Sequence, residues 1–220
     1  MDRQTAYDQV VQTRLIAVLR GQFPPATALD VASTLISAGI TVLEFTTNSP
    51  HAVAALQAVK AAYGAESCVG MGTVLDQSAA RRALDAGADF IVAPTLDPAV
   101  VEVAHNADRL AIPGALTPNE AVAAAATGAK IVKLFPVGAL GVDYFRFLRG
   151  PLNHIDFCCN GGITDANIGA FLRAGAVACG VGAWLTGTGT LSADTMAQRA
   201  RVLRRLADEA SGNLPPQQMA

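Results

Sequence analysis

Charged residues are scarce in this chain of 220 residues, and lysine and arginine form no cluster before residue 201. Only 15% of the residues are charged, and 16 Lys and Arg against 18 Asp and Glu give a formal net charge of -2 at pH 7. Domains that bind nucleic acid usually carry a basic patch, so this composition predicts no nucleic-acid partner. The basic cluster at residues 201 to 205 is interpreted as the solvated face of a last helix.

The sequence also has no segment with the pattern of a signal peptide or of a membrane span. The first five residues have neither the basic start nor the apolar stretch of a signal peptide. No run is long and apolar enough to be interpreted as a bilayer span. We therefore expect a cytoplasmic protein with no membrane partner.

Cysteine and histidine are too few, and wrongly spaced, to indicate a metal centre or a disulfide framework. The four cysteines fall in predicted buried strands, and the neighbours Cys158 and Cys159 point to opposite strand faces. The three histidines show no paired spacing with other ligands. A Gly-x-Gly-x-x-Gly turn is absent after the first apolar run, which argues against a dinucleotide. The sequence thus predicts no metal and no cofactor.

What the chain does contain is a regular series of short apolar runs separated by alanine-rich segments of helical periodicity. Runs that are apolar on consecutive residues are typical of parallel strands covered on both faces. Glycine just before a strand, as at Gly39, Gly87, Gly128 and Gly175, ends several of the intervening helices. We count eight runs, at residues 15 to 19, 41 to 46, 68 to 74, 90 to 94, 110 to 114, 131 to 136, 155 to 159 and 178 to 184.

Eight strand-helix units predict an α/β fold, a (β/α)8 TIM barrel that forms one domain over residues 1 to 220. Residues 4 to 13 are expected to form an extra leading helix. An open doubly wound sheet is the competing architecture, although it requires no eightfold count.

Two charged residues stand inside otherwise apolar strands. Because successive strand residues point to opposite faces of a sheet, the Glu44 side chain lies on the face opposite to Leu43 and Phe45. The Lys133 side chain lies likewise on the face opposite to Val132 and Leu134. If the bulky neighbours pack under helices, Glu44 and Lys133 both point into the barrel, near its mouth.

Such a buried pair is explained either by a structural ion pair or by chemistry, because each charge is costly to remove from water. A neutral Lys133 amine could attack a ketone, and Glu44 could shuttle the protons that imine formation and carbon-carbon cleavage require. The residues alone leave both interpretations open.

The chain resembles a known family over residues 15 to about 185. The resemblance lies in Val42-Leu43-Glu44, in the segment 69 to 75 (VGMGTVL), in Ile112-Pro113-Gly114, in the segment 131 to 136 (IVKLFP) and in Gly161-Gly162-Ile163. These segments are similar to those of the aldolases for 2-keto-3-deoxy-6-phosphogluconate (KDPG) and 4-hydroxy-2-oxoglutarate (KHG).

The resemblance implies a homotrimeric class I aldolase of Entner-Doudoroff-type carbohydrate metabolism. Such an enzyme is a carbon-carbon lyase that cleaves a 2-keto-3-deoxy sugar acid to pyruvate and an aldehyde such as glyceraldehyde 3-phosphate. By the same resemblance, Lys133 forms the Schiff base and Glu44 is the general acid/base. The implied substrate-binding residues are Thr73 for the pyruvate carboxylate, Pro94 and Phe135 for the pocket wall, and Gly161 and Gly162 for a distal phosphate.

Four positions depart from the family pattern. Asn48 stands where many relatives carry an arginine, and together with Arg20 it looks more like the branch acting on 2-keto-3-deoxy-6-phosphogalactonate (KDPGal). We therefore expect Arg20 to bind the anion and Asn48 to lie in the substrate site. Asn160 replaces a threonine, and Ala183 replaces a serine in the substrate site, which favours a substrate without phosphate as an alternative.

Two further hypotheses remain open from the sequence. One is a sugar-phosphate epimerase in which Lys133 and Glu44 act as an acid/base pair without a covalent step. The other is a metabolite-binding barrel that has lost turnover.

Overall fold

Parallel strands form a single barrel wall in the computed structural model, which describes residues 1–212. Residues 213–220 of the predicted domain lie outside the described residues. The order of the strands in the sheet is β5-β4-β3-β2-β1-β9-β8-β7-β6, and all their pairings are parallel. The strands are β1 (Leu15–Leu19), β2 (Val42–Thr46), β3 (Cys68–Gly72), β4 (Phe90–Val92), β5 (Leu110–Ile112), β6 (Gly114–Ala115), β7 (Ile131–Leu134), β8 (Asp156–Asn160) and β9 (Ala178–Val181).

The ninth strand arises because one of the eight predicted runs is divided at Pro113. Proline has no N–H to donate to a ladder, so β5 pairs with β4 before Pro113 and β6 pairs with β7 after it. The carbonyl of Pro113 still accepts a 2.8 Å hydrogen bond from the Lys133 N–H. The two short strands therefore act as one barrel strand, and the predicted (β/α)8 barrel is confirmed.

Helices alternate with the strands around the outside of this wall. The predicted leading helix is present, and the glycines expected to end helices all have positive φ, for example 83° at Gly39 and 101° at Gly175. The helices are α1 (Arg3–Thr13), α2 (Pro25–Ser37), α3 (Ala52–Tyr63), α4 (Gln77–Asp85), α5 (Pro98–Asn106), α6 (Pro118–Ala126), α7 (Gly141–Arg149), α8 (Ile168–Arg173), α9 (Ala183–Thr186) and α10 (Ala193–Ser211).

Apolar side chains form two cores, one on each side of the barrel wall. Helix α1 contributes Ala6 and Val10 to the inner core, where they join residues such as Ile16 near the starts of the strands. The leading helix and the strand starts together close the N-terminal end of the barrel. The C-terminal strand ends are left as the end where side chains can meet a ligand.

The alternation predicted for the barrel wall is confirmed. Leu43 and Phe45 belong to the outer core under the helices, while Val42 belongs to the inner one. Cys158 lies in the inner core and Cys159 in the outer one, and both are free thiols. Within residues 1–212, no helix has the length and apolar character needed to cross a bilayer.

Candidate active site

Lys133 lies on β7, inside the barrel and near its C-terminal end. Only 4% of its surface is exposed, and it lines a cavity of about 450 Å³. Its Nζ lies 5.1 Å from the ring centroid of Phe135, which follows the same strand. The amine is thus buried on all sides except the one that faces the cavity.

Glu44 on β2 is fully buried, and neither carboxyl oxygen has a hydrogen-bond partner among the described residues. The hydrogen-bonded ion pair considered from the sequence is therefore not formed with Lys133. Burial raises the pKa of Glu44, while the nearby positive charges of Lys133 and Arg20 act in the opposite direction. The group can hold a proton at a higher pH than an ordinary glutamate.

The space for the Glu44 carboxyl exists because β3 ends in glycine. A Cβ at Gly72 would overlap Oε1 of Glu44 and would lie 2.5 Å from its carboxyl carbon. Any larger residue would need that carboxyl to move. Gly72 and Thr73 belong to the segment 69 to 75 that carries part of the family resemblance. Gly72 makes room for Glu44, and Thr73 begins the loop after β3.

The loops after β1, β2 and β3 are held together by side-chain hydroxyls. Arg20 donates to Oγ1 of Thr73 at 3.4 Å, and Thr47 donates to the carbonyl of Thr73 at 2.5 Å. Ser49 accepts the N–H of Gly21 at 3.0 Å. Thr73 itself adopts the left-handed conformation, with φ of 59°. Arg20 is exposed and lines the same cavity as Lys133.

Gly161 and Gly162 follow β8 and line the other side of the cavity. Both have positive φ, 85° and 80°, and neither N–H has an acceptor among the described residues. A side chain at Gly161 would lie 2.8 Å from the ring of Phe135. Ala183 begins the short helix α9 and also lines this part of the cavity.

Four residues predicted for the site do not line the cavity. Glu44 is fully buried, and Thr73 contacts Arg20, which does line the cavity. The other two are Pro94 and Asn48. Pro94 follows β4 and is half-buried, and its backbone packs closely against Gly114. Asn48 lies exposed in the turn after β2. Their assignment to substrate binding stays a prediction.

Several lining residues had no role assigned from the sequence. Asn160 was noted only as a departure, although a polar residue at the end of an apolar strand is a usable signal. No local pattern in the sequence marks Thr188 as a site residue. It reaches the site because its carbonyl accepts the N–H of Gln22 at 2.9 Å. The remaining residues of this kind are Val18, Ile163, Thr164, Gly180, Gly182 and Trp184.

The fold and this geometry agree with similarity to known proteins. The family model for KDPG and KHG aldolase matches residues 7–202. A protein of Rhizobium meliloti (strain 1021) named probable 2-dehydro-3-deoxy-6-phosphogalactonate aldolase is 34% identical over 187 residues, which are 84% of this chain and 87% of the relative. The KHG/KDPG aldolase of Escherichia coli (strain K12) is 34% identical over 167 residues, 76% of this chain and 78% of the relative.

Solved structures lead to the same family. The structure described as "Native KDPGal structure" superposes with a TM-score of 0.85 at 32% identity, and the match covers 90% of this chain and 96% of the other. The chain belongs to the KDPG and KHG aldolase family.

Proposed function

We propose that this protein is a class I aldolase that cleaves a 2-keto-3-deoxy sugar acid to pyruvate and an aldehyde, with Lys133 as the Schiff-base residue. The observation that carries the proposal is the position of Lys133. It is a buried amine that lines a cavity at the C-terminal end of a barrel, within electrostatic range of a fully buried carboxyl that has no hydrogen-bond partner among the described residues.

Proton transfer between Glu44 and Lys133 gives the reaction its starting state. If Glu44 takes a proton from the Lys133 ammonium, both groups become uncharged, which avoids the cost of burying two charges. The neutral amine can then attack the C2 ketone of the substrate.

Glu44 then moves protons through the remaining steps. As an acid it protonates the carbinolamine hydroxyl, which leaves as water and gives an iminium. As a base it accepts the C4 hydroxyl proton while the C3–C4 electron pair moves into the iminium, which releases the aldehyde. Protonation of the resulting enamine and hydrolysis of the imine free pyruvate. Burial raises the pKa of Glu44, which favours the protonated form that the acid step requires.

The remaining site residues are assigned to binding. Arg20 and Thr73 lie next to each other and offer a guanidinium and a hydroxyl to the pyruvate carboxylate. Phe135 forms a wall beside the amine. Gly161 and Gly162 line the cavity in two successive left-handed conformations, and we assign their backbone N–H groups to the tail of the substrate, where a phosphate is the group such a turn would bind.

The substrate we assign is KDPG, 4-hydroxy-2-oxoglutarate or both. Relatives named KHG/KDPG aldolase and 2-dehydro-3-deoxy-6-phosphogalactonate aldolase match at the same 34% identity, so the galactonate-derived compound is the second candidate. Arg20 and Asn48 favour that candidate, and Ala183 favours a substrate without phosphate. Comparing kcat/KM for gluconate- and galactonate-derived acids, each with and without phosphate, decides among them.

Borohydride reduction in the presence of pyruvate tests the mechanism. We expect an adduct on Lys133, identified by mass analysis of peptides, and none in Lys133→Ala. Lys130→Ala is the matched control, because Lys130 is the nearest lysine in sequence and contacts Gln4 of α1 instead of the cavity. Turnover without any adduct on Lys133 would favour a non-covalent epimerase-like reaction. An adduct without aldehyde release would favour a binding protein.

The proposal includes a homotrimer in the cytoplasm, acting in Entner-Doudoroff-type breakdown of sugar acids. Its support is the family membership of the chain. Light scattering on the purified protein tests the trimer, and a mass of one or two chains would contradict it.

A further inference from the structure

A second cavity lies at the N-terminal end of the barrel, away from Lys133, and we call it the basal cavity. Its volume is about 320 Å³, which is within the range of sites that bind small molecules. Its lining comes from α1, from the start of β8, from the residues just before β9 and from the end of α10. None of these residues has a role in the proposed mechanism, so the basal cavity is separate from the candidate active site.

Arg14, which follows α1 and lines the basal cavity, is a buried cation. It is 4% exposed and forms no ion pair with a carboxylate in residues 1–212. Its guanidinium donates to Oγ of Ser211 at 3.0 Å and to the carbonyls of Leu172 and Ala176 at 3.3 and 3.4 Å. These neutral acceptors hold the group in place, but they do not balance its charge. Buried charges are costly unless they are paired, so a bound anion would stabilise this one.

The electrostatic surroundings of Arg14 favour an anion as well. Burial lowers the pKa of Arg14, and the positive charge of Arg204 on α10 acts in the same direction. A negative charge placed against the guanidinium would offset both effects. The planar guanidinium suits a carboxylate, which can accept two parallel hydrogen bonds from it.

Asp156 supplies the opposite charge on the wall of the same cavity. It begins β8 and is half-buried. The Tyr7 hydroxyl donates to its Oδ2 at 2.6 Å, which leaves Oδ1 for a ligand. No cation pairs with Asp156 among the described residues, so it and Arg14 share a cavity without contacting each other. A molecule that carries both charges can bridge them.

The wall of the basal cavity also has an apolar part. Val11 and Val177 pack against the inner core but are only partly buried. An aliphatic group placed against them would remove their remaining apolar surface from water, which is favourable. The ligand that fits this lining therefore combines an anion, a cation and a short hydrocarbon chain.

We propose that the basal cavity binds a small aliphatic α-amino acid. Its carboxylate accepts hydrogen bonds from Arg14, its ammonium donates to Oδ1 of Asp156, and its side chain packs against Val11 and Val177. Binding involves no covalent step. The inference goes beyond the proposed function and does not depend on it, because the basal cavity shares no residue with the site of Lys133.

Isothermal titration calorimetry with L-valine tests the proposal. Isovalerate keeps the isopropyl group and the carboxylate but lacks the ammonium, and isobutylamine keeps the isopropyl group and the ammonium but lacks the carboxylate. We expect valine to give a saturable heat and each analogue to bind about tenfold or more weakly. Lys133→Ala should bind valine as tightly as the parent does, because Lys133 lies at the other end of the barrel.

Charge-removing variants locate the site. Arg14→Gln and Asp156→Asn should each weaken valine binding by about tenfold or more. Arg204→Gln and Asp8→Asn are the matched controls, because each removes the same charge from α10 or α1 and neither residue lines the basal cavity. If Arg14→Gln does not fold, Val177→Phe takes its place, since the larger ring occupies the basal cavity and leaves both charges present.

Four results would overturn the inference. They are no saturable binding of valine up to about 10 mM, equal affinity for either analogue, unchanged affinity in the variants of the basal cavity, and loss of binding in Lys133→Ala. None of them bears on the pyruvate adduct that tests the aldolase proposal, so the two proposals can fail separately.

Discussion

Replacing Gly72 with alanine adds one methyl group and is expected to remove most of the activity by moving Glu44. The Cβ of the introduced alanine would overlap Oε1 and lie 2.5 Å from the Glu44 carboxyl carbon, and ordinary van der Waals contact begins at 3.4 Å. The carboxyl must therefore retreat by about 1 Å to restore that contact distance. Gly72 is itself buried at the end of β3, so the backbone has little room to move in the opposite direction.

The expected magnitudes follow from this displacement. Overpacking of a buried site by one methyl group costs about 1–3 kcal/mol of the free energy of unfolding. A misplacement of about 1 Å can cost on the order of 100-fold in rate, and a general acid/base contributes about 100-fold or more. We therefore expect Gly72→Ala to stay folded and to lose about 100-fold in kcat/KM.

The assay follows pyruvate release together with urea unfolding of the same samples. Gly70→Ala is the matched control, because Gly70 lies on the same strand and its Cβ would lie 2.6 Å from the Phe90 ring instead of near Glu44. It should lose comparable stability and keep much more activity. In the Glu44→Gln background, Gly72→Ala should cost little further activity. Activity of Gly72→Ala within about twofold of the parent would refute the role assigned to Glu44.

Three further outcomes are expected. Glu44 has a raised pKa in the folded state, so the folded state binds more protons than the unfolded one, and stability falls as pH rises above the unfolded value near 4.5. Glu44→Gln should therefore raise the urea midpoint at pH 7 more than at pH 4, and an equal gain at both pH values would contradict the burial of this carboxyl. Ala183→Ser adds a hydroxyl to the tail end of the cavity and should raise kcat/KM for phosphorylated over unphosphorylated substrates by about tenfold; no change would place the phosphate elsewhere. Asp89 is buried, and its carboxylate contacts Nζ of Lys60 at 2.6 Å and accepts the N–H of Val69 at 2.9 Å. It does not line the cavity that contains Lys133. Asp89→Asn should lower the free energy of unfolding by about 3 kcal/mol and leave kcat/KM within about twofold, which parallel unfolding and turnover measurements check.

Strand alternation made half of the candidate site predictable. The side chains of Glu44 and Lys133 point into the barrel because their bulky strand neighbours pack outward under the helices. The two-residue period of a strand is sufficient to infer this. The apolar runs did not give the strand ends equally well. The runs at residues 68 to 74, 90 to 94 and 131 to 136 continue two residues beyond the strands. Residues past these strand ends still bond to the neighbouring strands, as the N–H of Val74 does to the carbonyl of Val92 and the N–H of Phe135 to that of Ala115.

Contacts between loops were not predictable in the same way. Arg20 was assigned to an anion site by analogy, and its contact with Thr73 depends on three loops that are joined only in the folded barrel. Thr188 reaches the cavity through a backbone hydrogen bond to Gln22. Asn48 was predicted for the site from the family resemblance, because it stands where many relatives carry an arginine, and the structure places it at the exposed surface of the turn after β2.

The sequence by itself determined the barrel, its leading helix, the inward direction of Lys133 and Glu44, and the family. Those features depend on periodicity and on short motifs, which are properties of neighbouring residues. The tertiary structure decided that Glu44 has no hydrogen-bond partner among the described residues, that Gly72 makes the space for it, and that Arg14 and Asp156 line the same cavity. These features depend on distances between side chains on different strands or loops, and only packing of the whole barrel sets such distances.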